Sequence, residues 1–331
     1  MEIFRTVVEC PTSVEKIDYK TPVMMYGSCF AENLGDILFD LKFDVYINPF
    51  GIVYNPISIA QNIKRTISGK RYGFDEIRSS ANGLFFSFDH HSKFSSSNLL
   101  DYIDIINTYL YISNGQLATA QWLFVTLGTA WAFRHKETGK IVANCHKLPA
   151  SHFERILLQA DEICDVWAET IAELQKFNPD IKTVFTISPV RHLRDGAHGN
   201  QLGKATLFLA VDKLIAEHKN TAYFPAYEIV MDELRDYRFY DEDMTHINPV
   251  AISYIWKRFC ETYIDDSALP MMAQVNEINK AVAHEPIHIT EDTKKFVEKY
   301  LKKIDELEEQ APTLYFHFVY EKKRLKRKLN T

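Results

Sequence analysis

The stretch Val23-Met24-Met25-Tyr26-Gly27-Ser28-Cys29-Phe30-Ala31-Glu32-Asn33-Leu34-Gly35 joins an apolar run to a segment with helical periodicity. A short apolar run that ends at a glycine is typical of a buried strand. The pattern therefore predicts a strand, a turn at Gly27 and a helix that begins next to Ser28. Free backbone N–H groups and the helix dipole favour negative charge at such a helix N-terminus.

Ser28 has two interpretations from this stretch alone. As a helix N-cap it is structural, which is the commoner role for such a serine. As a nucleophile it needs hydrogen-bond donors for the negative oxygen of a tetrahedral intermediate, and a helix N-terminus supplies them.

A second motif favours the nucleophile. Asp243 and His246 are three residues apart, so a helical turn would place them on one face, where they can hydrogen-bond. A carboxylate beside an imidazole fixes its tautomer, which completes a Ser28–His246–Asp243 triad. A solvated surface pair is the alternative, and Asp241 is the other acid that could orient His246.

These motifs carry a resemblance to a known family. The sequence resembles the GSCFA family, named for Gly27-Ser28-Cys29-Phe30-Ala31, over roughly its first 260 residues. Further matching stretches are Asn48–Gly51, Thr126–Trp131, Asn144–Lys147, Ser188–His192 and Glu233–Tyr240, which runs into Asp243–His246. That family is similar to the SGNH/GDSL-type serine esterases and lipases. The resemblance implies a three-layer α/β/α sandwich around a parallel sheet, and acyl-serine chemistry.

Composition limits the function classes. The chain has 331 residues, of which 46% are hydrophobic and 13% aromatic, and this excludes a disordered chain. A net charge of −6 gives no global sign of nucleic-acid binding. Five scattered cysteines without a C-x-x-C pair are typical of a reducing compartment. Neither a secretory signal nor a membrane span is visible, so we predict a cytoplasmic protein.

Strand and helix patterns alternate along the chain, which predicts a parallel sheet covered on both faces. The predicted strands are Pro22–Tyr26, Phe43–Ile47, Trp122–Leu127, Thr183–Ile187 and Thr221–Phe224. The predicted helices are Ala31–Leu41, Pro56–Ile67, Leu99–Tyr111, Phe153–Lys176 and Leu202–Glu217. A β-hairpin is predicted near 131–144, with its turn at Glu137–Lys140.

The chain divides into a hydrolase-like domain, residues 1–264, and a helical extension with a basic tail, residues 265–331. The tail Lys322–Lys328 could contact nucleic acid or anionic lipid, but a flexible solvated terminus is the expectation in an acidic protein. The aromatic segment Leu314–Tyr320 should pack on the domain or on a second subunit, which leaves a homo-oligomer open.

The motif residues should gather at one edge of the sheet, because ligands bind where parallel strands end. The resemblance implies an oxyanion hole built from the nucleophile N–H, a glycine N–H and an asparagine side chain. Gly51 is the glycine candidate, with a plain turn glycine equally open. The usual Gly-x-Asn-Asp block is replaced by Gly128-Thr129-Ala130-Trp131. The other candidate donors or substrate contacts are Gly128, Thr129, Asn144, His146 and, for an anionic substrate, Arg191.

Neither a metal nor a cofactor is expected. His90 and His91 are adjacent, so on extended chain they point to opposite faces, and no zinc-ligand spacing appears. Cys29 should pack inward as a small hydrophobe and not act as the nucleophile.

The sequence therefore predicts a serine-dependent ester hydrolase that removes a short acyl group, such as acetyl, from a carbohydrate or similar small alcohol. Transfer of the acyl group to another alcohol uses the same acyl-serine and is the first alternative. A non-catalytic carbohydrate-binding module is the second.

Overall fold

A parallel five-stranded sheet forms the centre of the molecule. The computed structural model describes residues 5–286, 288–311 and 318–329. The central strands are β1 (Val23–Gly27), β2 (Val45–Ile47), β5 (Trp122–Leu127), β9 (Lys182–Ile187) and β10 (Thr221–Phe224), in the order β10-β9-β5-β1-β2. Every neighbouring pair is parallel. The predicted sheet is confirmed, with strand boundaries within two residues of the prediction.

Helices cover both faces of the sheet. They are α1 (Cys29–Asp40), α2 (Pro56–Ser68), α3 (Leu99–Thr119), α4 (Ala160–Phe177), α5 (Gly196–Glu217), α6 (Ala226–Glu228), α7 (Pro249–Tyr263), α8 (Leu269–Ala283), α9 (Glu291–Gln310) and α10 (Val319–Arg327). A π-helical turn, Ile229–Leu234, continues α6. Side chains from α2 to α5 share one core with Leu123 and Val125, whereas α1 and α7 to α10 share the other with Trp122 and Phe124. The three-layer α/β/α architecture is therefore confirmed.

Two small antiparallel sheets lie outside the central one. β3 (Arg78–Ser79) pairs with β4 (Phe85–Phe86). β6 (Trp131–His135) pairs with β7 (Ile141–Val142), which forms the predicted hairpin, and also with β8 (Phe153–Leu157). The predicted helix Phe153–Lys176 is wrong in its first part, because residues 153–157 complete this sheet and α4 begins only at Ala160.

The C-terminal region is helical, as predicted, and its tail is a packed helix. Leu325 of α10 is fully buried, and Glu321 forms a 2.7 Å ion pair with Lys42 at the end of α1. Lys322 pairs with Asp305 and Glu308 of α9. The expectation of a flexible solvated tail is therefore wrong. Residues 312–317 of the aromatic segment lie outside the described residues, and the division near residue 264 stays a prediction.

None of the helices described is both long and apolar enough to cross a membrane.

Candidate active site

Ser28 lies where β1 ends and α1 begins. It is the N-cap of α1, with extended backbone, and its Oγ accepts the N–H of Phe30 at 3.3 Å. Its backbone N–H donates to the carbonyl of Thr126 in β5 at 3.2 Å. The side chain is only 2% exposed, so the hydroxyl is held in a nearly closed setting.

Gly27 allows β1 and β5 to approach closely beside Ser28. Its φ is +140°, and a Cβ atom there would lie 2.2 Å from the carbonyl oxygen of Thr126. Only glycine fits a position with that backbone angle and that contact. The sequence signal Gly-Ser therefore has a definite structural cause.

The chain order makes this edge a switch point. From β1 the chain first adds β2 on one side, and then returns to add β5, β9 and β10 on the other. In open α/β sheets the crevice for ligands lies at this reversal, outside the carboxyl ends of the strands. Ser28 follows β1 and Gly128 follows β5, so both lie at the reversal.

Asp243 and His246 form a close pair in a loop between the π-helical turn and α7. The Oδ2 atom of Asp243 lies 2.6 Å from Nδ1 of His246. Its Oδ1 atom accepts the backbone N–H groups of Thr245 and His246 at 2.8 and 2.9 Å. Hydrogen bonds to His246 and Thr245 hold the pKa of the Asp243 carboxyl well below its usual range.

The local structure around this pair differs from the predicted helical turn. Met244 has φ +55°, and the Asp241 N–H donates to the carbonyl of His246 at 2.8 Å, which closes a non-helical loop. The i, i+3 contact therefore arises from an aspartate turn, in which a side chain bonds backbone N–H groups two and three residues ahead. The Asp241 side chain makes no hydrogen bond within the described residues.

Ser28 and His246 are not hydrogen-bonded to each other in this conformation, as far as the described part of the chain extends. His192 lies beside Gly128, which follows β5. Its Nε2 is 3.0 Å from the position of a Cβ atom on Gly128, and His246 contributes to the lowering of its pKa. Burial is the main cause of that lowering, to about 3, so the imidazole of His192 is neutral.

Most of the predicted oxyanion donors are engaged elsewhere. The Gly51 N–H donates to the carbonyl of Asn48 at 2.7 Å. The N–H groups of Gly128 and Thr129 both donate to the carbonyl of Tyr54, at 2.8 and 3.3 Å. The Thr129 hydroxyl accepts the N–H of Trp131 at 3.1 Å.

Asn48, which the sequence did not single out, carries an unused donor at the same edge. Its Oδ1 accepts the Gly27 N–H at 2.8 Å, and its backbone N–H donates to Met25. Its Nδ2 is buried and has no hydrogen-bond partner among the residues that the structure describes. Buried polar groups are nearly always paired, so an unpaired amide next to Gly27 and Ser28 requires an explanation. The available signal was the Asn48–Gly51 motif, in which Asn48 has φ +43°.

His146 lines another cavity, and Asn144 bonds the backbone of His146. The Asn144 Oδ1 accepts the N–H of His146 at 2.8 Å, and the His146 Nε2 lies 2.8 Å from the carbonyl of Ser87. The His146 ring stacks on Phe86, and burial lowers its pKa to about 4. The cavity that His146 lines is bounded by the β3–β4 hairpin, and Ser28 is not among its described lining residues.

Arg191 and Lys204 place positive charge under and beside the edge. The backbone N–H of Arg191 donates to the carbonyl of Thr245 at 3.0 Å, so Arg191 is bonded to the loop that carries His246. Lys204 is fully buried in α5, and its Nζ donates to the carbonyls of Gly128 and Ser188 at 2.5 and 2.6 Å. Burial and the charge of Arg191 lower the pKa of Lys204 to about 7.

Cys29 and His90 both lie in surroundings that are typical of structural side chains. Burial raises the pKa of the Cys29 thiol, so it is protonated at neutral pH. His90 is enclosed by Phe50, Tyr72 and Phe94, and its Nδ1 bonds the Ser87 hydroxyl at 2.6 Å. Among residues 5–286, 288–311 and 318–329, no three histidine, cysteine or acidic side chains are grouped to hold a metal ion.

Comparisons with known proteins identify the family. No curated protein matches the chain. A solved acetyl xylan esterase, Est2A from the rumen bacterium Butyrivibrio proteoclasticus, is similar with 11% identity and a TM-score of 0.36. The alignment covers 73% of this chain and 63% of that one. The GSCFA family model matches residues 22–259, and the model for the C-terminal domain of GSCFA domain proteins matches residues 275–331. The chain belongs to the GSCFA family.

Proposed function

We propose that this protein is a serine-dependent ester hydrolase in which Ser28 is the nucleophile. The observation that carries the proposal is the Asp243–His246 pair, whose carboxylate holds Nδ1 at 2.6 Å. An ionised carboxylate only accepts hydrogen bonds, so Nδ1 keeps its proton and Nε2 is left as a base. Ser28 supports the proposal because its hydroxyl lies at the N-terminus of α1, at the switch point of the sheet.

The reaction follows the acyl-serine scheme. His246 Nε2 takes the proton of Ser28 Oγ as that oxygen attacks the ester carbonyl, and then returns the proton to the departing alcohol. Water repeats the sequence on the acyl-enzyme and releases the acid. This requires the His246 loop to bring Nε2 within reach of Oγ, and catalytic hydrogen bonds are often long or absent until substrate binds.

Asn48 is the donor that we assign to the oxyanion. Its Nδ2 is the buried donor left unpaired beside Gly27, and an oxyanion is the acceptor that would satisfy it. The backbone N–H groups of Gly51, Gly128 and Thr129 would each have to give up an existing bond. The substrate is proposed as a short-chain ester, such as an acetyl ester of a carbohydrate, and a cytoplasmic location is proposed with it.

A fluorophosphonate probe and an ester panel test this function. We expect the probe to label Ser28 in the wild type, and Ser28→Ala to abolish both labelling and hydrolysis of acetyl esters. The change removes one oxygen at the edge of the sheet and leaves α1 without its side-chain cap, so thermal unfolding of Ser28→Ala serves as the control for folding.

Cys29→Ala is the matched variant, because it removes the neighbouring sulfur and should keep activity. A Ser28→Ala protein that folds and retains a tenth of the wild-type rate would exclude Ser28 as nucleophile. Adding sugars as acyl acceptors separates a hydrolase from an acyltransferase, since an acyltransferase would release acylated sugar faster than free acid.

A further inference from the structure

A cavity of about 380 Å³ shares a wall with the loop that carries Asp243 and His246. Its lining comes from the segment 191–197, from the π-helical turn and from residues 235–244. Met244, which lies between Asp243 and His246 in the chain, is part of this lining. Arg191 also lines the cavity, and its backbone N–H donates to the carbonyl of Thr245 in the same loop. We call this space the arginine pocket.

Positive charge dominates the arginine pocket. Arg191 and Arg235 both line it, together with one acid, Asp236. The carboxylate of Asp236 already has partners. It accepts the backbone N–H of Arg238 at 2.8 Å, and it lies 3.8 Å from the Nε atom of the Arg238 side chain. The pocket therefore offers two guanidinium groups and no free carboxylate among its described lining residues.

These guanidinium groups have unused hydrogen-bonding capacity. The Nε of Arg191 is buried and has no hydrogen-bond partner among the described residues, although the same guanidinium bonds the Tyr240 hydroxyl. Arg235 is exposed, and its side chain makes neither a hydrogen bond nor an ion pair with any described residue. Burying the Nε of Arg191 without a hydrogen-bond partner costs folding free energy, so this donor needs a compensating role.

Backbone geometry places Arg235 at this position. A π-helical turn, Ile229–Leu234, precedes it, and Arg235 itself has φ +45°. π-helical turns and left-handed non-glycine residues both occur preferentially at functional sites. Tyr237 and Tyr240 add aromatic rings to the wall.

We propose that the arginine pocket binds an anionic group, a carboxylate or a phosphate, on the alcohol portion of the ester. Arginine matches both groups with paired N–H donors, and the tyrosine rings offer an apolar surface for the sugar that bears the charge. The link to an ester rests on the proposed function. The pocket as an anion site rests only on its own residues.

Calorimetric titration of the full chain with D-glucuronate, glucose 6-phosphate and glucose tests the pocket. We expect at least one anion to bind more tightly than glucose. Arg235→Gln should weaken binding of that anion on the order of tenfold, since it removes one charge-assisted hydrogen bond. Arg134→Gln is the matched control, because Arg134 is an exposed arginine of β6 that pairs with Glu154 and does not line the pocket. Thermal unfolding checks that both variants fold.

The outcomes separate the two proposals. Binding of glucuronate alone identifies a carboxylate site, and binding of glucose 6-phosphate alone identifies a phosphate site. If glucose binds as tightly as both anions, if none of the three binds, or if Arg235→Gln and Arg134→Gln behave alike, the pocket inference is overturned. Fluorophosphonate labelling of Ser28 in the same preparations reports on the esterase proposal independently. An anion that binds to a protein with an inert Ser28 would overturn the esterase and leave the pocket.

Discussion

Asp243 shapes its loop and orients the neighbouring imidazole with one carboxylate. Oδ1 accepts two backbone N–H groups, and Oδ2 contacts the Nδ1 of His246. Because the pKa of this carboxyl is held below its usual range, Asp243 is ionised at neutral pH. Asp241 contributes its backbone to the same loop.

Asp243→Asn should lower kcat by about 10⁴, because an amide no longer enforces the tautomer in which Nε2 is the base. Asp241→Asn is the matched control and should stay within a few-fold of the wild type. Steady-state hydrolysis of an acetyl ester measures both. If Asp241→Asn is the damaging change and Asp243→Asn is tolerated, the assignment of the orienting acid is wrong.

Asn48→Asp tests the unpaired amide directly. Aspartate keeps an oxygen for the Gly27 N–H and tolerates the left-handed backbone, but it loses the donor at Nδ2. We expect kcat to fall by about 10²–10³, the usual cost of one oxyanion donor, with little change in KM. A variant that folds and keeps a third of the wild-type kcat would show that the oxyanion is bound by other groups.

Lys204 makes stability depend on pH in a definite direction. Its pKa is about 7 in the folded protein, against an ordinary value of 10.5. Between those two values the unfolded chain holds a proton that the folded chain has released, so raising the pH favours the folded state. The groups facing the ammonium are Arg191, Cys29, His192 and the ring of Tyr227.

We therefore expect the free energy of unfolding of the wild type, relative to Lys204→Met, to increase from pH 7 to pH 9.5. Urea unfolding at these two values measures it. The comparison with Lys204→Met cancels the titration of the other groups. A difference that does not change with pH would mean that Lys204 stays protonated in the folded protein.

At the scale of elements, β1 and α1 form the unit that positions Ser28, and two glycines test it. Gly27→Ala would place a Cβ atom 2.2 Å from a backbone carbonyl at φ +140°, so it should cost about 4 kcal/mol or more, or prevent folding. Gly115→Ala lies on the exposed side of α3 with open space around it, and should stabilise by about 0.5–1 kcal/mol. Thermal unfolding of the two variants measures the contrast. Equal effects would refute the close approach of β1 to β5.

The strands and helices also show how much of the fold can be predicted from the sequence. The five central strands were predicted because long apolar runs bounded by turn residues are strong local signals. Phe153–Leu157 was read as helix because its partner, β6, lies about twenty residues away, and strand pairing is decided by such contacts. The helix predicted to end at Tyr111 continues as α3 to Thr119. Its added part is held by a tertiary contact, because the side chain of Asn114 donates to the carbonyl of Thr66 in α2 at 2.7 Å.

The site was predictable only in part, for the same reason. The motifs predicted that Ser28 follows a strand and that Asp243 contacts His246, and the structure has both features. That the three side chains form a triad stays a prediction. Which backbone N–H groups are already hydrogen-bonded cannot be predicted from local motifs, because the acceptors of Gly51, Gly128 and Thr129 are set by the folded structure. Asn48 emerges only once those bonds are counted.

At the scale of the whole molecule, the C-terminal helices complete the core on the α1 side of the sheet. Phe318 and Leu325 are fully buried in the same cluster as Val23 and Phe124. The buried ion pair of Lys42 and Glu321, at 2.7 Å, fixes α10 against the end of α1.

Glu321→Gln should destabilise the fold by about 3 kcal/mol, because it removes the buried carboxylate that pairs with the ammonium of Lys42 at 2.7 Å. Lys42→Met combined with Glu321→Leu should recover most of that loss, since an apolar pair of similar volume needs no compensation. Urea unfolding of the single and double variants forms the test. A double variant as unstable as Glu321→Gln would mean that the site depends on the charges themselves.

The position of Glu321 in the chain has a consequence for biosynthesis. It lies 279 residues beyond Lys42, so a ribosome working at about 5–20 residues per second needs on the order of 15–60 s to make the chain between them. The core covered by α2 to α5 has Tyr227 as its last buried residue and can close once that residue has emerged, whereas the α1 core must wait for α10. While the last third of the chain is made, one face of the sheet is covered and the apolar side chains of the α1 face stay exposed, and that exposed face is where a chaperone would bind.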